Sequence, residues 1–301
     1  MLKIGNCPDS WGVLFPDDPK QMGWERFLDE FQEAGYRYLE LGPYGYLPTE
    51  PEVLKDHLER RKIQAVSGAL AGHFENDLAQ WREKIHIQAP FYQALGVSYF
   101  VLLDGRYSDR STRELIAPKE LAHQEWRNFV TNLTELSREL KEEYGLEPVF
   151  HPHADTHVET EEQIQRLLEE TDPALVNLCF DTGHHVIAGG EPISFMERFG
   201  GRTKFLHIKN VNGSLKRAVI EKRVSNFESL EMGVYTELSK GEIDFKLFQQ
   251  VMERWNYDGY AIIEQDVYPI DLGADKNCAD GPLMMQTRNA CYLEQIGFGR
   301  R

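Results

Sequence analysis

Glu147-Pro148-Val149-Phe150-His151-Pro152-His153-Ala154-Asp155-Thr156-His157 is the stretch from which the fold is read. A short apolar run ends in a histidine, and more histidines follow at once. The pattern recurs downstream. The run ending at Phe180 leads into Asp181-Thr182-Gly183-His184-His185, Lys204-Phe205-Leu206 leads into His207, and Tyr260-Ala261-Ile262-Ile263 leads into Glu264. Five of the ten histidines fall between Phe150 and His185. Four successive strand-like runs therefore end in His151, Asp181, His207 and Glu264. Imidazole and carboxylate are donors that suit a first-row divalent metal.

Working outward, apolar runs alternate with helical spacing along the whole chain. Strands are expected at Leu2–Asn6, Tyr36–Leu41, Lys62–Leu70, Ser98–Leu103, Glu147–His151, Ala174–Phe180, Lys204–Ile208 and Tyr260–Glu264. Each is short and almost wholly apolar, as a parallel strand covered on both faces should be. Helical spacing links them: Trp24 to Ala34, Pro51 to Arg61, Leu78 to Leu95, Pro118 to Tyr144, Glu159 to Glu170, a short helix from Pro192, Asp244 to Trp255, and Asp280 to Ile296. Pro90 predicts a kink or break in the third of these. The stretch Lys209–Glu242 reads as irregular with helix in its middle, and a loop that long in a compact enzyme is usually functional. Eight strands alternating with helices predict an α/β fold, a closed (β/α)8 TIM barrel, as one domain over residues 1–301. In such a barrel the C-terminal strand ends share one face, so residues distant in sequence converge there.

Composition narrows the function classes. The net charge of −16, from 33 basic and 49 acidic residues, argues against nucleic acid as a partner, because phosphate binding needs a basic face. No run approaches the length of a membrane helix, and Met1-Leu2-Lys3-Ile4-Gly5 has no apolar signal-peptide core. Cys7, Cys179, Cys278 and Cys291 form no close pair, which suits a reduced, cytoplasmic setting. No phosphate-binding glycine motif occurs.

Beyond the four ligand candidates, His153 lies two residues past His151 and in extended chain points to the same side. It is a candidate general base, the alternative being an orienting partner of a ligand. Lys209 stands in the same relation to His207, where its charge would stabilise an oxyanion. His184 and His185 follow a glycine turn; one is expected at the substrate and the other in solvent, with His184 taken as catalytic. Glu40 ends strand two and is expected to bind substrate hydroxyls or a basic neighbour. Trp11 walls the pocket or packs beneath it. Cys179, inside a strand, reads as a buried filler.

These residues carry a resemblance. His151-Pro152-His153-Ala154-Asp155-Thr156-His157-Val158-Glu159-Thr160, Phe180-Asp181-Thr182-Gly183-His184, Leu206-His207-Ile208-Lys209, Gly241-Glu242-Ile243-Asp244-Phe245 and Ile263-Glu264 resemble the xylose-isomerase-like, or sugar phosphate isomerase/epimerase, TIM barrels, and within them the inosose dehydratase branch. The resemblance covers nearly the whole chain. It implies one divalent metal (Mn, Co or Zn) held by a residue from each of strands five to eight, and favours His153 as the acid/base group. Many members place Glu where this chain has His151. The family's His-x-Lys-Asp reads His207-Ile208-Lys209-Asn210 here, and the segments Leu238-Ser239-Lys240-Gly241 and Glu264-Gln265-Asp266-Val267-Tyr268-Pro269 also depart from its pattern. Those departures fall in pocket-forming loops. The implied chemistry is proton abstraction α to the carbonyl of a polyhydroxy ketone, ending in dehydration of an inosose-like substrate; isomerisation or epimerisation of a sugar uses the same site. A non-catalytic metal-containing binding protein is the alternative from another class. The expected partner is a small polyhydroxy ketone or sugar, with no nucleic acid and no membrane; a homo-oligomer is left open.

Overall fold

The structure is a computed structural model that describes residues 2–109, 112–222, 224–268 and 279–300. Its strands are β1 (Leu2–Asn6), β2 (Tyr38–Glu40), β3 (Gln64–Gly72), β4 (Tyr99–Asp104), β5 (Glu147–His151), β6 (Leu178–Asp181), β7 (Thr203–Ile208), β8 (Asn210–Val211), β9 (Tyr235–Thr236), β10 (Tyr260–Ile263) and β11 (Gly299–Arg300). The apolar strands β1–β7 and β10 pair in parallel with their neighbours in chain order, and β10 returns to β1, with Lys3 opposite Tyr260 and Asn6 opposite Ile263. That closure makes an eight-stranded barrel. β11 adds to the start of β1, and β8 and β9 form a separate antiparallel ribbon.

An outer helix follows each barrel strand. These are α1 (Trp24–Glu33), α2 (Pro51–Arg61), α3 (Leu78–Ala94), α4 (His123–Tyr144) and α5 (Glu161–Glu169), then α7 (Pro192–Phe199), α10 (Phe245–Arg254) and α11 (Pro282–Gln295). Three more helices, α6 (Thr182–Ile187), α8 (Gly213–Lys222) and α9 (Asn226–Glu231), lie in the connections after β6 and β7. The predicted (β/α)8 barrel is thus the observed one. No helix among the described residues is long and apolar enough to cross a membrane.

Where boundaries differ, local hydrogen bonding explains the difference. Strand six begins at Leu178, not Ala174, because the Asp172 carbonyl accepts from Leu175 and Val176 N–H and closes a turn. Strand three begins at Gln64 because Lys62, at φ 58°, is the left-handed cap of α2. α4 begins at His123, not Pro118, since the Pro118 carbonyl is taken by His157 Nε2 at 3.1 Å. α3 runs through Pro90 without the predicted break. Pro90 lies on the exposed face, where water can satisfy the carbonyl it frees. The stretch Lys209–Glu242 is more ordered than predicted, holding α8, α9 and the β8–β9 ribbon.

The barrel interior is a packed plug. Val66, Val101, Val149, Cys179 and Ile262 fill its middle, and Tyr38, Tyr99, Phe205 and Tyr260 pack together at its N-terminal end. Cys179 is the buried filler the sequence predicts, its thiol pushed up to about 12 by burial. Among the described residues the plug closes the N-terminal mouth of the barrel, which leaves the C-terminal face open to a ligand. Tight packing continues outside the sheet. A Cβ on Gly68 would lie 2.2 Å from Tyr92 Cζ, and Tyr92 is fully buried against Phe100. Gly68→Ala is therefore expected to destabilise by about 1–3 kcal/mol through overpacking, read as a lower urea midpoint. An unchanged midpoint would contradict the packing described.

Candidate metal and substrate site

The four strand-end residues meet at the open face. His151 ends β5, Asp181 ends β6, His207 lies in β7, and Glu264 follows β10; all four are buried. Asp181 also caps α6: its Oδ1 accepts from the N–H groups of Gly183 and His184 at 2.7 and 2.8 Å. Its Oδ2 is left buried with no hydrogen-bond partner among the described residues, as are His151 Nδ1 and His207 Nδ1. His207 Nδ1 lies 3.2 Å from Glu264 Oε2 and 3.9 Å from Asp181 Oδ2, and the His151 and His207 rings are 4.7 Å apart. Buried polar atoms rarely go without a hydrogen bond, so three of them clustered at these strand ends are a donor set that fits a cation.

The imidazole of His207 is turned by its other nitrogen. Nε2 lies 3.2 Å from Glu40 Oε1, and Ser67 Oγ donates to Glu40 Oε2 at 2.6 Å. This contact directs Nδ1 toward Asp181 and Glu264, the second-partner arrangement typical of metal-binding histidines. Of the two expectations for Glu40, the basic neighbour is the one observed, although Glu40 also lines the cavity.

A second tier stands beside the first. Lys209 is fully buried, with Nζ at 2.9 Å from Glu264, 2.8 Å from Asp266 and 3.4 Å from Asp181. Burial alone would lower its pKa, but Asp181, Asp266 and Glu264 outweigh burial and hold the ammonium charged. Burial pushes Asp181 up to about 7, with Lys209 opposing. In Glu264 the upward push of burial is overcome by His207 and Lys209, which keep it ionised. Lys209 Nζ also donates to His184 Nε2 at 2.7 Å. His184 Nδ1 then donates to Tyr235 Oη at 2.9 Å, and Tyr235 donates to Asn226 Oδ1 at 2.6 Å. The chain of donors fixes His184 as a neutral imidazole, in line with its pKa, lowered by burial and by His153.

His153 stacks on His184 with ring centres 3.7 Å apart. Burial, then Arg106 and Lys209, hold its pKa well below the usual imidazole value. Its Nδ1 donates to the Ala154 carbonyl at 2.6 Å, which puts the lone pair on Nε2. His151, Asp181, His184 and Glu264 also have ligand atoms within 4.8 Å of one another, but Lys209 already occupies His184 Nε2. A second cluster, His73, Glu75, Asp104 and His157, is a structural tie: His157 Nδ1 pairs with Asp104 at 2.9 Å and Nε2 with the Pro118 carbonyl.

Two expectations are corrected. Trp11 does not reach the cavity; it is wholly buried, stacked edge-on against Phe27 at 5.2 Å, and donates Nε1–H to Glu30. An aromatic in a turn-rich loop is drawn into the core when a buried carboxylate can take its N–H. His185 is not solvated; it is buried, with Nε2 3.2 Å from Glu161. The residues missed are Asp266, Arg106, Asp9 and Tyr235. Asp266 had a readable signal, since it lies two residues past Glu264, the same offset as His153 from His151 and Lys209 from His207. Arg106 closes the Asp104-Gly105-Arg106 end of β4. Tyr235 reaches the site only because the long β7 connection folds back.

A (β/α)8 barrel with a histidine–carboxylate cluster at its C-terminal face defines the class. Residues 28–287 match the family model of the xylose isomerase-like TIM barrel, and the chain belongs to that family. Among curated relatives, the inosose dehydratase of Clostridium tetani (strain Massachusetts / E88) is 29% identical over 276 residues, covering 89% of this chain and 91% of its own. The solved structure of IolI protein with a bound zinc atom superposes with a TM-score of 0.69 at 17% identity, covering 98% of each chain. D-allulose 3-epimerase from Methylomonas sp. in complex with D-allulose gives 0.67 at 17% identity, over 98% of this chain and 96% of that one.

The burial of His185 has a measurable consequence. Burial holds its pKa below the ordinary 6.5, so the unfolded chain takes up the proton first as pH falls. Stability from this group is present above about 6.5 and is lost as pH drops toward the folded-state value. The thermal midpoint of the wild type is expected to fall between pH 7 and pH 5 (roughly one to two units about that pKa), and His185→Gln to flatten that fall. An identical pH profile in the variant would remove His185 as the cause.

Proposed function

We propose that the protein is a divalent-metal-dependent lyase that dehydrates a polyhydroxy ketone of the inosose type. The observation that carries this reading is the convergence of bare, buried donor atoms from His151, Asp181 and His207 beside Glu264. The donor set fits a divalent ion of the Mn, Co or Zn kind. His151 is the strand-five ligand in this reading, because its Nδ1 is buried with no hydrogen-bond partner among the described residues, which leaves His153 Nε2 for the acid/base role. The curated inosose dehydratases support the substrate class, and the zinc in the IolI structure supports a metal.

When bound, the ion supplies Lewis-acid stabilisation of negative charge on the substrate carbonyl oxygen. The remaining chemistry belongs to the side chains. His153 Nε2 takes the proton from the carbon next to the carbonyl; the C–H electron pair becomes the C=C bond of an enolate, and the carbonyl π pair moves onto its oxygen. Lys209 holds a fixed positive charge that stabilises that oxygen. As the carbonyl re-forms, the β-hydroxyl leaves, and the proton on His153 Nε2 completes the departing water. Asp266 and His184 hold Lys209 in place, Tyr235 and Asn226 hold His184, and Glu40 holds His207.

Proton NMR in D2O with 2-keto-myo-inositol and a panel of ketoses tests this reading. Elimination of water is the expected outcome. Deuterium incorporation with interconversion and no elimination would replace dehydration by isomerisation or epimerisation at the same residues. His151→Ala and Glu264→Gln are each expected to lose bound metal, measured by elemental analysis, together with activity; full metal occupancy in both would sink the ligand assignment. His153→Ala is expected to keep its metal and lose about 10²-fold or more in kcat. Glu40→Gln is expected to weaken metal binding by about 10–100-fold through loss of the His207 contact.

A further inference from the structure

One cavity of about 780 Å³ opens at the C-terminal face, a volume suited to a ligand well beyond a single six-membered polyol. Its two halves differ in chemistry. The wall built by β5, β6, β7 and β10 carries the charged and imidazole groups described above. The wall built by β1–β4 and α3 is largely apolar: Leu14, Phe15, Tyr44, Leu70, Leu103 and Ile87 line it. The polar groups on that side are engaged elsewhere or belong to the reactive end: His73 pairs with Glu75 at 3.3 Å, and Lys84 lies over the Trp81 ring at 4.4 Å. Glu40 is turned to His207 and Asp104 to His157, Arg106 acts on His153, and Asp9 lies against Glu264.

Two features mark this half as built for a ligand. Ile87, on α3 at the cavity wall, is 55% exposed, and Leu103 remains half-buried although it lies in a barrel strand. Gln88 is only 8% exposed, yet its Oε1 is buried with no hydrogen-bond partner among the described residues, and Gln88 lines the cavity. A single polyol ring held at the histidine–carboxylate wall would leave the opposite apolar wall wet and Gln88 Oε1, on α3, without a partner.

We propose that the β1–β4 half of the cavity is a second subsite that takes a hydroxylated aromatic ring attached to the polyol. Phe15 and Tyr44 face the ring, Ile87 and Leu103 bury it, and Gln88 Oε1 accepts its hydroxyl hydrogen. This rests on reading the histidine–carboxylate end as the polyol site.

Isothermal titration of the metal-loaded protein with 4-hydroxyphenyl β-D-glucoside and methyl β-D-glucoside tests the subsite without requiring turnover. The aryl glycoside is expected to bind at least about tenfold tighter, the gain from burying one aromatic ring. Ile87→Asp is expected to abolish that ratio, and Gln88→Leu to reduce it to the ratio measured with phenyl β-D-glucoside. If the aryl glycoside fails to outbind the methyl glycoside, including by neither binding, the subsite is overturned. The wild-type comparison stands even if a variant misfolds. An intact aryl preference in a protein that exchanges no substrate proton in D2O would uphold the subsite and overturn the proposed reaction. Turnover of a keto-polyol without any aryl preference would do the reverse.

Discussion

The polarity of a closed parallel barrel is the constraint on which everything else depends. Eight strands that run the same way and close β10 onto β1 must deliver all their C-terminal ends to one face. The interior below that face is filled by valines, Cys179 and an aromatic layer. A residue at or next to the C-terminal end of a strand therefore lies at a cavity with a closed floor. His151, Asp181, His207 and Glu264 come from four adjacent staves, so convergence follows from closure and needs no special loop.

Packing ionisable groups into such a cavity is costly unless each charge is matched. Lys209 is the match: a buried ammonium among Asp181, Glu264 and Asp266. It offsets part of the acidic excess, yet His151 Nδ1 keeps no hydrogen-bond partner among the described residues, and Asp181 Oδ2 lies 3.4 Å from the ammonium without a hydrogen bond. The same lysine reaches His184, and through it Tyr235 and Asn226. That chain ties α9 and the β8–β9 ribbon to the reactive end, so the connection after β7 is part of the site.

The placement of His151, Asp181, His207 and Glu264 at one face was legible from the strand ends, and that of His153 and Lys209 from the two-residue period of extended chain. The offset of two that links His151 to His153 and His207 to Lys209 also links Glu264 to Asp266, and applying it a third time would have found the third carboxylate around Lys209. Trp11 was not legible, because its fate was set by Glu30, a residue on α1 that sequence spacing does not connect to it. His185 was not legible either; its solvent exposure was cancelled by Glu161 from α5. Arg106 and Gln88 carry no local pattern that separates them from surface residues.

The sequence by itself determined the alternation of strands and helices, the closed barrel and which four polar residues stand at the ends of its last four strands, because burial on both faces and the two-residue period act within a few neighbouring positions. Only the tertiary structure decided which nitrogen of each histidine is free, that Glu40 turns His207 and that Lys209 is shared by three carboxylates. It alone divided the cavity into a charged wall and an apolar one. Those features depend on contacts between residues up to 167 positions apart, as between Glu40 and His207, and such contacts exist only once the barrel has closed.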